Sequence, residues 1–455
     1  MGISVRLLQP SSVKPIEMAS HAAKLCYNAK TPELGELLNV KNALFKTGHH
    51  TTLEHTYYTF AIEGISVGDV TLGFHLANTF YNTDQRSGRY CTEMFANPDM
   101  TEINQYIRTY WPELSDQQIW EITDYVALSI EIYNRYKGEA AVHAADVFRS
   151  QRPNFPKKNL EAQADKVAQE QMRALIPVIM PTAIDYTINL TTVVALYKSA
   201  FTPVMRAVTA MMADEVVKHD PRTRFMFIRD PAKNWSPSFA SSSPHLVKEP
   251  KCELLSVDGI WNFTMPEEEI CHPVDQLHFR PEMMNNSIGS VTTRLTLSLM
   301  TMGQNQRHRT VHRSAPSFTG GFYIPPLLAR CKGLRKEYLA LAERWNLLSR
   351  TLPPTLAAII APYGTMVTYT TRGDFLALIH EHSKRLCWNA QEEIYNLSRQ
   401  LREQIAKLCG KKSPLLAIFE PPCSRHGKCL EGKRCCGRNI QIRNTRTNYY
   451  PRRVA

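Results

Sequence analysis

The stretch "QNQRHRTVHRSAPSF", residues 304–318, places Arg307, His308 and Arg309 side by side, with Arg313 close behind. Three adjacent cationic or near-cationic groups repel one another unless they are well solvated or face an anion. A planar guanidinium group pairs with two phosphate oxygens at once, which a lysine cannot do. The stretch therefore predicts an anion-binding site, with a solvated basic face or a nucleic-acid patch as the alternative.

The composition of the whole chain is that of a folded protein with more than one domain. The chain has 455 residues, of which 43% are hydrophobic and 21% charged, and such a chain is neither disordered nor confined to one core. Its net charge of +12 favours phosphorylated or polyanionic partners, although solubility explains it nearly as well.

Neither export nor membrane insertion is expected. Residues 1–12 carry no export or myristoylation signal, and the uncharged segment 352–371 is too rich in proline and threonine to span a membrane. The 11 scattered cysteines suit reduced thiols. We therefore expect a cytoplasmic protein.

Regular patterns predict a mixed fold. Apolar residues recur at helical spacing over Ile119–Tyr133, directly after a capping box at 115–118. A second helical series, Ile394–Leu408, ends against Gly410. In residues 55–62, "HTYYTFAI", polar and apolar side chains nearly alternate, and Tyr, Thr and Phe are frequent. This pattern predicts a strand.

The chain divides into two halves of similar layout. Residues 229–253 are rich in Pro and Ser and show no helical or strand period, so they predict a boundary. Each half contains a polar motif and a Pro-containing apolar run, "ALIPVIMP" in the first and "AAIIAPYG" in the second. We therefore expect two repeats, residues 1–235 and 236–410, followed by a Cys-rich basic tail, residues 411–455.

Two polar motifs lie in the first half, "GHHTTLEHTYYTFAIEGIS" at 48–66 and "DQRSGRYCTEMF" at 84–95. His49, Thr51 and Glu54 come just before the predicted strand, where side chains can project into a cleft. The Ser-Gly-Arg tripeptide at 87–89 combines a hydroxyl, close backbone approach and a guanidinium group. That combination can hold a phosphate, although it is also common in ordinary turns.

Together these motifs resemble the flavin-dependent thymidylate synthases, whose signature joins Gln-x-x-Arg-His-Arg to Ser-x-Arg-Tyr through a short loop. Here the signature is split. The first half keeps Ser87, Arg89 and Tyr90 but has Ala77–Thr79 at the Arg-His-Arg positions. The second half keeps Gln304–Arg309 but runs into "GGFYIPP" without a Ser-x-Arg-Tyr.

The family assembles its site from different subunits, so this complementary loss implies composite sites in a duplicated, fused chain. The resemblance implies an α+β fold of two tandem thymidylate-synthase-complementing-protein-like domains. Each would have long helices packed on a small, mostly antiparallel sheet. It also implies a homodimer of such fused pseudo-dimers.

Site residues follow from the resemblance position by position. The catalytic residues it implies are Arg385, which faces the uracil ring, and His49, which positions the flavin unless it is only a structural histidine. The dUMP-binding residues it implies are Gln304, Arg307, Ser87, Gly88, Arg89 and Arg385. The FAD-binding residues it implies are His49, Thr51, Glu54, Gln85, Arg307, His308, Arg309 and His380.

Several positions depart from the family pattern. Ala183 stands where the family has a phosphate-binding arginine, and "APYGTMVTY" offers no arginine in the second half. Gln85 replaces a glutamate, and Cys26 replaces a serine. The phosphate clamp, by which we mean the residues that hold the nucleotide phosphate, is then weaker or built differently. Its candidate substitutes are Arg313, Arg372 and Lys384.

The implied reaction is the reductive methylation of dUMP to dTMP, with methylenetetrahydrofolate as carbon donor and an FAD reduced by NADPH as hydride donor. Polarisation of the ring by Arg385 would make a catalytic thiol unnecessary. One alternative is another flavin-dependent enzyme that modifies pyrimidine nucleotides. The other is a non-catalytic descendant that binds nucleotide or nucleic acid, although nucleic acid is not the expected partner.

The tail motif "PPCSRHGKCLEGKRCCGR" gathers four thiols, Cys423, Cys429, Cys435 and Cys436. Closely spaced thiolates on a loop with glycines can bind a structural zinc ion, with Cys409 as a further candidate ligand. An iron–sulfur cluster and free thiols are the alternatives.

Overall fold

The computed structural model describes residues 2–76, 81–88, 91, 93–229, 235–260, 263, 281–425, 427–429, 431–446 and 450–455. Ala77–Thr79, Arg89 and Tyr90, on which part of the split-signature prediction rests, lie outside these ranges. Within them, no helix is both long enough and apolar enough to cross a bilayer.

The strands and helices follow one another in two similar series. The strands are β1 (Ser4–Gln9), β2 (Tyr57–Ser66), β3 (Tyr81–Gln85), β4 (Pro181–Asn189), β5 (Ser238–Phe239), β6 (His245–Val247), β7 (Lys251–Asp258), β8 (Ser290–Ser298), β9 (His312–Arg313), β10 (Ser317–Tyr323) and β11 (Thr365–Asp374). The helices are α1 (Pro15–Leu25), α2 (Val67–Asp69), α3 (Glu93–Ala96), α4 (Met100–Tyr110), α5 (Asp116–Gln151), α6 (Leu160–Met172), α7 (Leu190–Ser199), α8 (Pro203–His219), α9 (Leu299–Asn305), α10 (Leu334–Ser349), α11 (Pro354–Ile359), α12 (Phe375–Arg385), α13 (Glu392–Cys409), α14 (Pro422–Arg425) and α15 (Arg438–Thr445).

Both halves contain a sheet of the same topology. The first sheet has the order β1-β2-β4-β3, with all neighbours antiparallel. In the second sheet the run β7-β8-β11-β10 repeats that order, and β5 and β6 add parallel pairs to β10. In each half the first, second, fourth and third main strands are therefore neighbours. This repetition confirms the predicted α+β fold of two tandem domains.

The long elements begin and end where the sequence predicts. Ser115 caps α5 through a reciprocal box, in which its hydroxyl accepts from the Gln118 N–H at 3.2 Å and its own N–H donates to Gln118 Oε1 at 3.0 Å. Helix α13 ends at Cys409 because Gly410 adopts a φ of 86°, which favours glycine. The predicted strand is β2.

Residues 229–253, whose sequence shows no helical or strand period, nevertheless form short strands in the described part of the segment. It contains β5, β6 and the start of β7, all of which pair within the second sheet. Strands of two or three residues at the side of a sheet show no alternation long enough to recognise in a Pro- and Ser-rich sequence.

The two Pro-containing apolar runs meet at the centre of the molecule. Pro177 and Pro362 form an antiparallel bridge, and the Val178 N–H donates to the Ala361 carbonyl at 2.9 Å. Equivalent residues of the two repeats thus face each other, as an approximate two-fold axis between the repeats requires. Most of segment 352–371 is buried.

Candidate active site

The residues of the Gln-x-x-Arg-His-Arg motif are positioned by a buried hydrogen-bond network. Ser298, at the end of β8, caps α9 by accepting from the Thr301 N–H at 3.3 Å. Glu393, at the start of α13, accepts from the Ser298 N–H at 2.7 Å and from the Thr301 hydroxyl at 2.6 Å. Burial raises the pKa of Glu393, and these hydrogen bonds oppose the shift. Helix α9, whose end carries Gln304, is therefore fixed to α13.

The two arginines of the motif reach across to the first half. Arg307 Nη1 and Arg309 Nη2 both donate to the Thr83 carbonyl of β3, at 3.1 and 3.2 Å. Arg309 Nη1 also donates to Asn82 Oδ1 at 2.9 Å, and its guanidinium carbon lies 4.8 Å from the centre of the Tyr81 ring. The later half therefore supplies the guanidinium groups while the earlier half supplies the surface they contact.

A cavity of about 240 Å³ lies between the two halves at this point; we call it the composite cavity. Its lining from the first half includes Gln85, Arg86, Ser87, Gly88 and Arg173, and its lining from the second half includes Gln304, Arg307 and Arg385. Five of the six residues predicted for dUMP thus share one cavity, and the sixth, Arg89, lies outside the described ranges.

Gly88 is required by the packing of the loop that lines the composite cavity. A Cβ atom at this position would lie 2.5 Å from Cζ of Phe95, which is far closer than van der Waals contact. The Gln169 side-chain amide donates to the Gly88 carbonyl at 3.4 Å. The loop is therefore held against an aromatic ring on the side that faces the protein interior.

Arg385 is held in place by the backbone and by a buried histidine. Its Nη2 donates to the Gln304 carbonyl at 2.7 Å and its Nε donates to Nε2 of His308 at 2.8 Å. His308 is 4% exposed, and its ring centre lies 5.4 Å from that of His380. Burial, followed by Arg385 and His380, holds the pKa of His308 well below its usual value. Neither histidine lines the composite cavity, so both lie behind Arg385.

Sequence reasoning missed Arg86 and Arg173. Arg173 is 5% exposed, and its buried Nε and Nη2 donate no hydrogen bond to any residue that the structure describes. Its guanidinium carbon lies 5.2 Å from the centre of the Tyr363 ring. An arginine with unsatisfied donors on a cavity wall is a candidate for binding an anion. Its position directly before "ALIPVIMP" could have drawn attention to it, because the family arginine was sought only after that run.

The three substitutes predicted for the phosphate clamp are engaged elsewhere. Arg313 Nε donates to Asn305 Oδ1 at 2.7 Å and its Nη2 donates to the His308 carbonyl at 2.9 Å, so it stabilises the loop that follows the motif. Arg372 Nε donates to the Ser290 hydroxyl at 3.3 Å. Lys384 lies 3.5 Å from Glu431. None of the three lines the composite cavity.

His49, Thr51 and Glu54 lie far from the composite cavity. They precede β2, whereas Val67, which directly follows β2, lines the cavity. At roughly 3.3 Å per residue, a strand of this length separates the two ends by about 30 Å. The three residues predicted for the flavin are therefore at the opposite end of the strand, where His49 and Thr51 are exposed.

A second cavity, of about 230 Å³, lies next to Arg309; we call it the aromatic cavity. Tyr81, Phe201 and Trp235 line it together with Arg309 and Arg313. Within the described part of the chain, the buried Nε of Arg309 donates no hydrogen bond. Aromatic faces next to guanidinium groups fit a planar ring that carries phosphates, and the residues present here therefore suit a flavin nucleotide.

The tail cysteines are not arranged for a zinc ion. Among the described residues, three or more potential metal-ligand atoms lie within 4.8 Å of one another only at Glu139, His143 and Cys331. Tetrahedral zinc, with Zn–S bonds of about 2.3 Å, would bring its sulfur ligands to about 3.8 Å from one another. The zinc site predicted from Cys423, Cys429, Cys435 and Cys436 therefore does not fit this spacing.

Comparison with known proteins points to one family. No curated protein matches the chain. Among solved structures, thymidylate synthase X (ThyX) from Helicobacter pylori with FAD and dUMP is 16% identical, with 49% of this chain and 97% of that chain covered at a TM-score of 0.34. A UMP/dUMP methylase, PolB, from Streptomyces cacaoi bound with 5-Br UMP is also 16% identical, with 39% and 98% covered at a TM-score of 0.30. The family model for the thymidylate synthase complementing protein matches residues 7–222 and 287–410, and the chain therefore belongs to that family.

Proposed function

We propose that the protein is an FAD-dependent thymidylate synthase, which converts dUMP to dTMP with methylenetetrahydrofolate and NADPH. The observation that carries the proposal is the composite cavity, to which Ser87 and Gly88 come from one repeat and Gln304, Arg307 and Arg385 from the other. When bound, the flavin supplies the hydride chemistry. The chain's own residues bind and orient the nucleotide.

The phosphate of dUMP is assigned to Ser87, Arg173 and Arg307. These residues line one cavity, and the unsatisfied Nε and Nη2 atoms of Arg173 are suited to a phosphate oxygen pair. Arg173 is thus assigned the phosphate-binding role of the family arginine, whose position Ala183 occupies here.

The uracil ring is assigned to Arg385. Negative charge develops on the ring carbonyl and nitrogen as C5 becomes nucleophilic, and a fixed guanidinium group stabilises that charge. The contacts of Arg385 with His308 and Gln304 fix it before the substrate binds. No described cysteine lines the composite cavity, which is consistent with chemistry that needs no thiol.

The flavin is assigned to the aromatic cavity, with its phosphates near Arg307 and Arg309. We propose that a second copy of the chain supplies His49, Thr51 and Glu54, which lie at the end of β2 away from the composite cavity. This arrangement is the homodimer of fused pseudo-dimers that the resemblance implies.

The test is flavin spectroscopy together with turnover. The purified protein should be yellow, should bleach under NADPH without oxygen, and should recover its colour with dUMP and methylenetetrahydrofolate. Tritium should be released from dUMP labelled at C5. A colourless protein that takes up no flavin and releases no tritium would overturn the proposal. Recovery of colour with another pyrimidine nucleotide, but not with dUMP, would favour the alternative enzyme.

A further inference from the structure

A carboxylate, an imidazole and a thiol from the two repeats meet beside helix α5. Glu139 and His143 belong to α5, in the first repeat, and their spacing of four residues places them on the same face of the helix. Cys331 belongs to the second repeat and lies just before α10. One potential metal-ligand atom of each residue lies within 4.8 Å of the other two. In the part of the chain that the structure describes, three such atoms come this close nowhere else.

The turn that carries Cys331 is held against α5 by hydrogen bonds on either side of the three groups. The Lys332 N–H donates to Glu139 Oε1 at 2.9 Å. At the start of α10, Glu337 Oε1 accepts from the Tyr136 hydroxyl at 2.6 Å. An N–H that donates to a ligand carboxylate fixes its orientation and leaves a second lone pair of the oxygen for a cation. The three groups are therefore brought together by a specific contact between the repeats.

His143 presents an unused nitrogen at this contact. Its Nε2 is buried and makes no hydrogen bond to any described residue. The nearest carboxylate oxygen, Glu139 Oε1, lies 3.6 Å away, which is too far for a hydrogen bond. Buried polar atoms normally have a partner. A cation between the nitrogen and the carboxylate would supply one.

The separations of the three groups fit a single zinc ion. Tetrahedral zinc, with bonds of about 2.1 Å to nitrogen or oxygen and about 2.3 Å to sulfur, keeps neighbouring ligand atoms about 3.4–3.6 Å apart. The distance of 3.6 Å between His143 Nε2 and Glu139 Oε1 already matches. The Cys331 sulfur, within 4.8 Å of the other two atoms, needs to move closer by about 1.2 Å at most.

The chemistry of the ligand set favours zinc as well. Magnesium and calcium take oxygen ligands, whereas zinc takes imidazole nitrogen, thiolate sulfur and carboxylate oxygen together. The Cys331 side chain is buried, at 3% exposure, and its thiol donates to the Leu327 carbonyl at 3.6 Å. On binding, the sulfur–zinc bond replaces the sulfur–hydrogen bond and the proton leaves to solvent. One thiolate and one carboxylate then balance the double charge of the ion.

We propose that Glu139, His143 and Cys331 bind a zinc ion that links the first repeat to the second. The ion ties α5 to the turn before α10, at a place remote in sequence from every residue assigned to the nucleotide or the flavin. Three protein ligands leave one position of a tetrahedral ion for water. The Glu139 side chain, which is 40% exposed, gives that water access to the site.

Zinc analysis of the full-length protein, with its flavin, tests the proposal without any measurement of turnover. The protein is stripped with a chelator, given zinc ion and freed of the excess by gel filtration. We expect one zinc ion per chain, and an X-ray absorption spectrum at the zinc edge with one sulfur and three nitrogen or oxygen neighbours. Cobalt in place of zinc should give ligand-field bands at red wavelengths, where oxidised flavin does not absorb. No bound metal, or zinc with four sulfur neighbours from the tail, would overturn the proposal.

Matched substitutions identify the ligands. His143→Gln and Cys331→Ser should lose the zinc, whereas Cys423→Ser, in the tail, should keep it. His50→Gln should also keep it, because His50 and Glu54 form a pair of the same spacing at 3.8 Å but have no third ligand atom near them among the described residues. Full zinc content in His143→Gln, or loss of zinc from Cys423→Ser alone, would overturn the ligand assignment.

Thermal unfolding covers the case in which Cys331→Ser does not fold. Zinc that binds only the assembled contact between the repeats stabilises the folded chain, so the Tm of the stripped parent protein should rise when zinc is added. His143→Gln, at a partly exposed side chain, should show no such rise. An equal rise in both proteins, or no rise in the parent, would contradict the proposal.

Discussion

Nε of Arg385 lies 2.8 Å from Nε2 of His308. Because the guanidinium N–H can only donate, this imidazole nitrogen accepts, and the ring proton is assigned to Nδ1. The low pKa of His308 keeps the ring neutral, and so it does not repel the guanidinium group. The histidine acts as a positioning residue for Arg385.

His308→Leu should lower kcat while leaving flavin binding intact, because Arg385 loses the acceptor that orients it. We expect a fall of about tenfold or more, the cost of one lost charge-assisted hydrogen bond. His308→Gln keeps an acceptor oxygen and should restore most of the rate. Steady-state kinetics on both variants check this. An equal fall in kcat in the two variants would show that His308 acts only through packing.

Arg385→Ala should abolish dTMP formation while FAD remains bound. Removal of one group that stabilises developing charge typically costs about 10²–10³ in kcat. Tritium release from labelled dUMP and the flavin absorbance of the same sample are the measurements. Arg350→Ala, at an exposed position after α10, is the control. Full tritium release by Arg385→Ala would end the assignment.

Ser87→Ala and Arg173→Ala should each weaken dUMP binding, even though the Arg-His-Arg motif lies in the other half. Loss of a hydrogen bond from a charged group costs about 1.5–3 kcal/mol, so the dUMP Kd of Arg173→Ala should rise by one or two powers of ten. Titration calorimetry measures it. An unchanged Kd in both variants would show that the first half contributes nothing to the site.

Two inactive variants should complement each other if a second copy supplies His49. His49→Ala and Arg385→Ala would each disable every site in their own homodimer. After unfolding and refolding together, half the dimers are mixed and carry one intact site, so activity should return to about a quarter of normal. Refolding each variant alone is the control. No gain on mixing would show that His49 does not act across chains.

His382→Phe should make the free energy of unfolding less dependent on pH. Burial, followed by Arg385, lowers the pKa of His382 to about 3, whereas an unfolded histidine titrates near 6.5. Between these values the unfolded chain binds the extra proton, so this histidine lowers stability as the pH falls, by about 2 kcal/mol at pH 5.

The His382→Phe variant lacks this fall in the free energy of unfolding at low pH. Urea unfolding at pH 7.5 and pH 5 should therefore show it gaining about 2 kcal/mol relative to the parent as the pH falls. His55→Gln, at an exposed site, should show no such relative gain. Parallel curves for His382→Phe and the parent would contradict the prediction.

The helix ends that depend only on neighbouring residues in the sequence could be predicted from it. The capping box of Ser115 and the glycine stop at Gly410 depend on neighbouring residues only, and both are present in the structure. The short strand β5 could not be predicted, because it exists only through its pairing with β10.

In the candidate active site, too, some residues could be predicted from the sequence and others only from tertiary contacts. Ser87 and Arg307 could be assigned to one cavity because the split signature relates them. Arg173 could not, since its role depends on the tertiary contact that leaves its Nε unsatisfied. The distance of His49 from the cavity became evident only once β2 was seen to run between them.

The bridge between Pro177 and Pro362 joins the backbones of the two repeats. If the chain were cut at the Ser- and Pro-rich segment, each product would expose the N–H and carbonyl groups that now pair with the other repeat, such as those of Val178 and Ala361. Each repeat alone would then have unpaired backbone groups at this surface. Because both repeats belong to one chain, the composite cavity forms at any protein concentration, whereas the contact with a second copy that the proposed flavin site uses still depends on concentration.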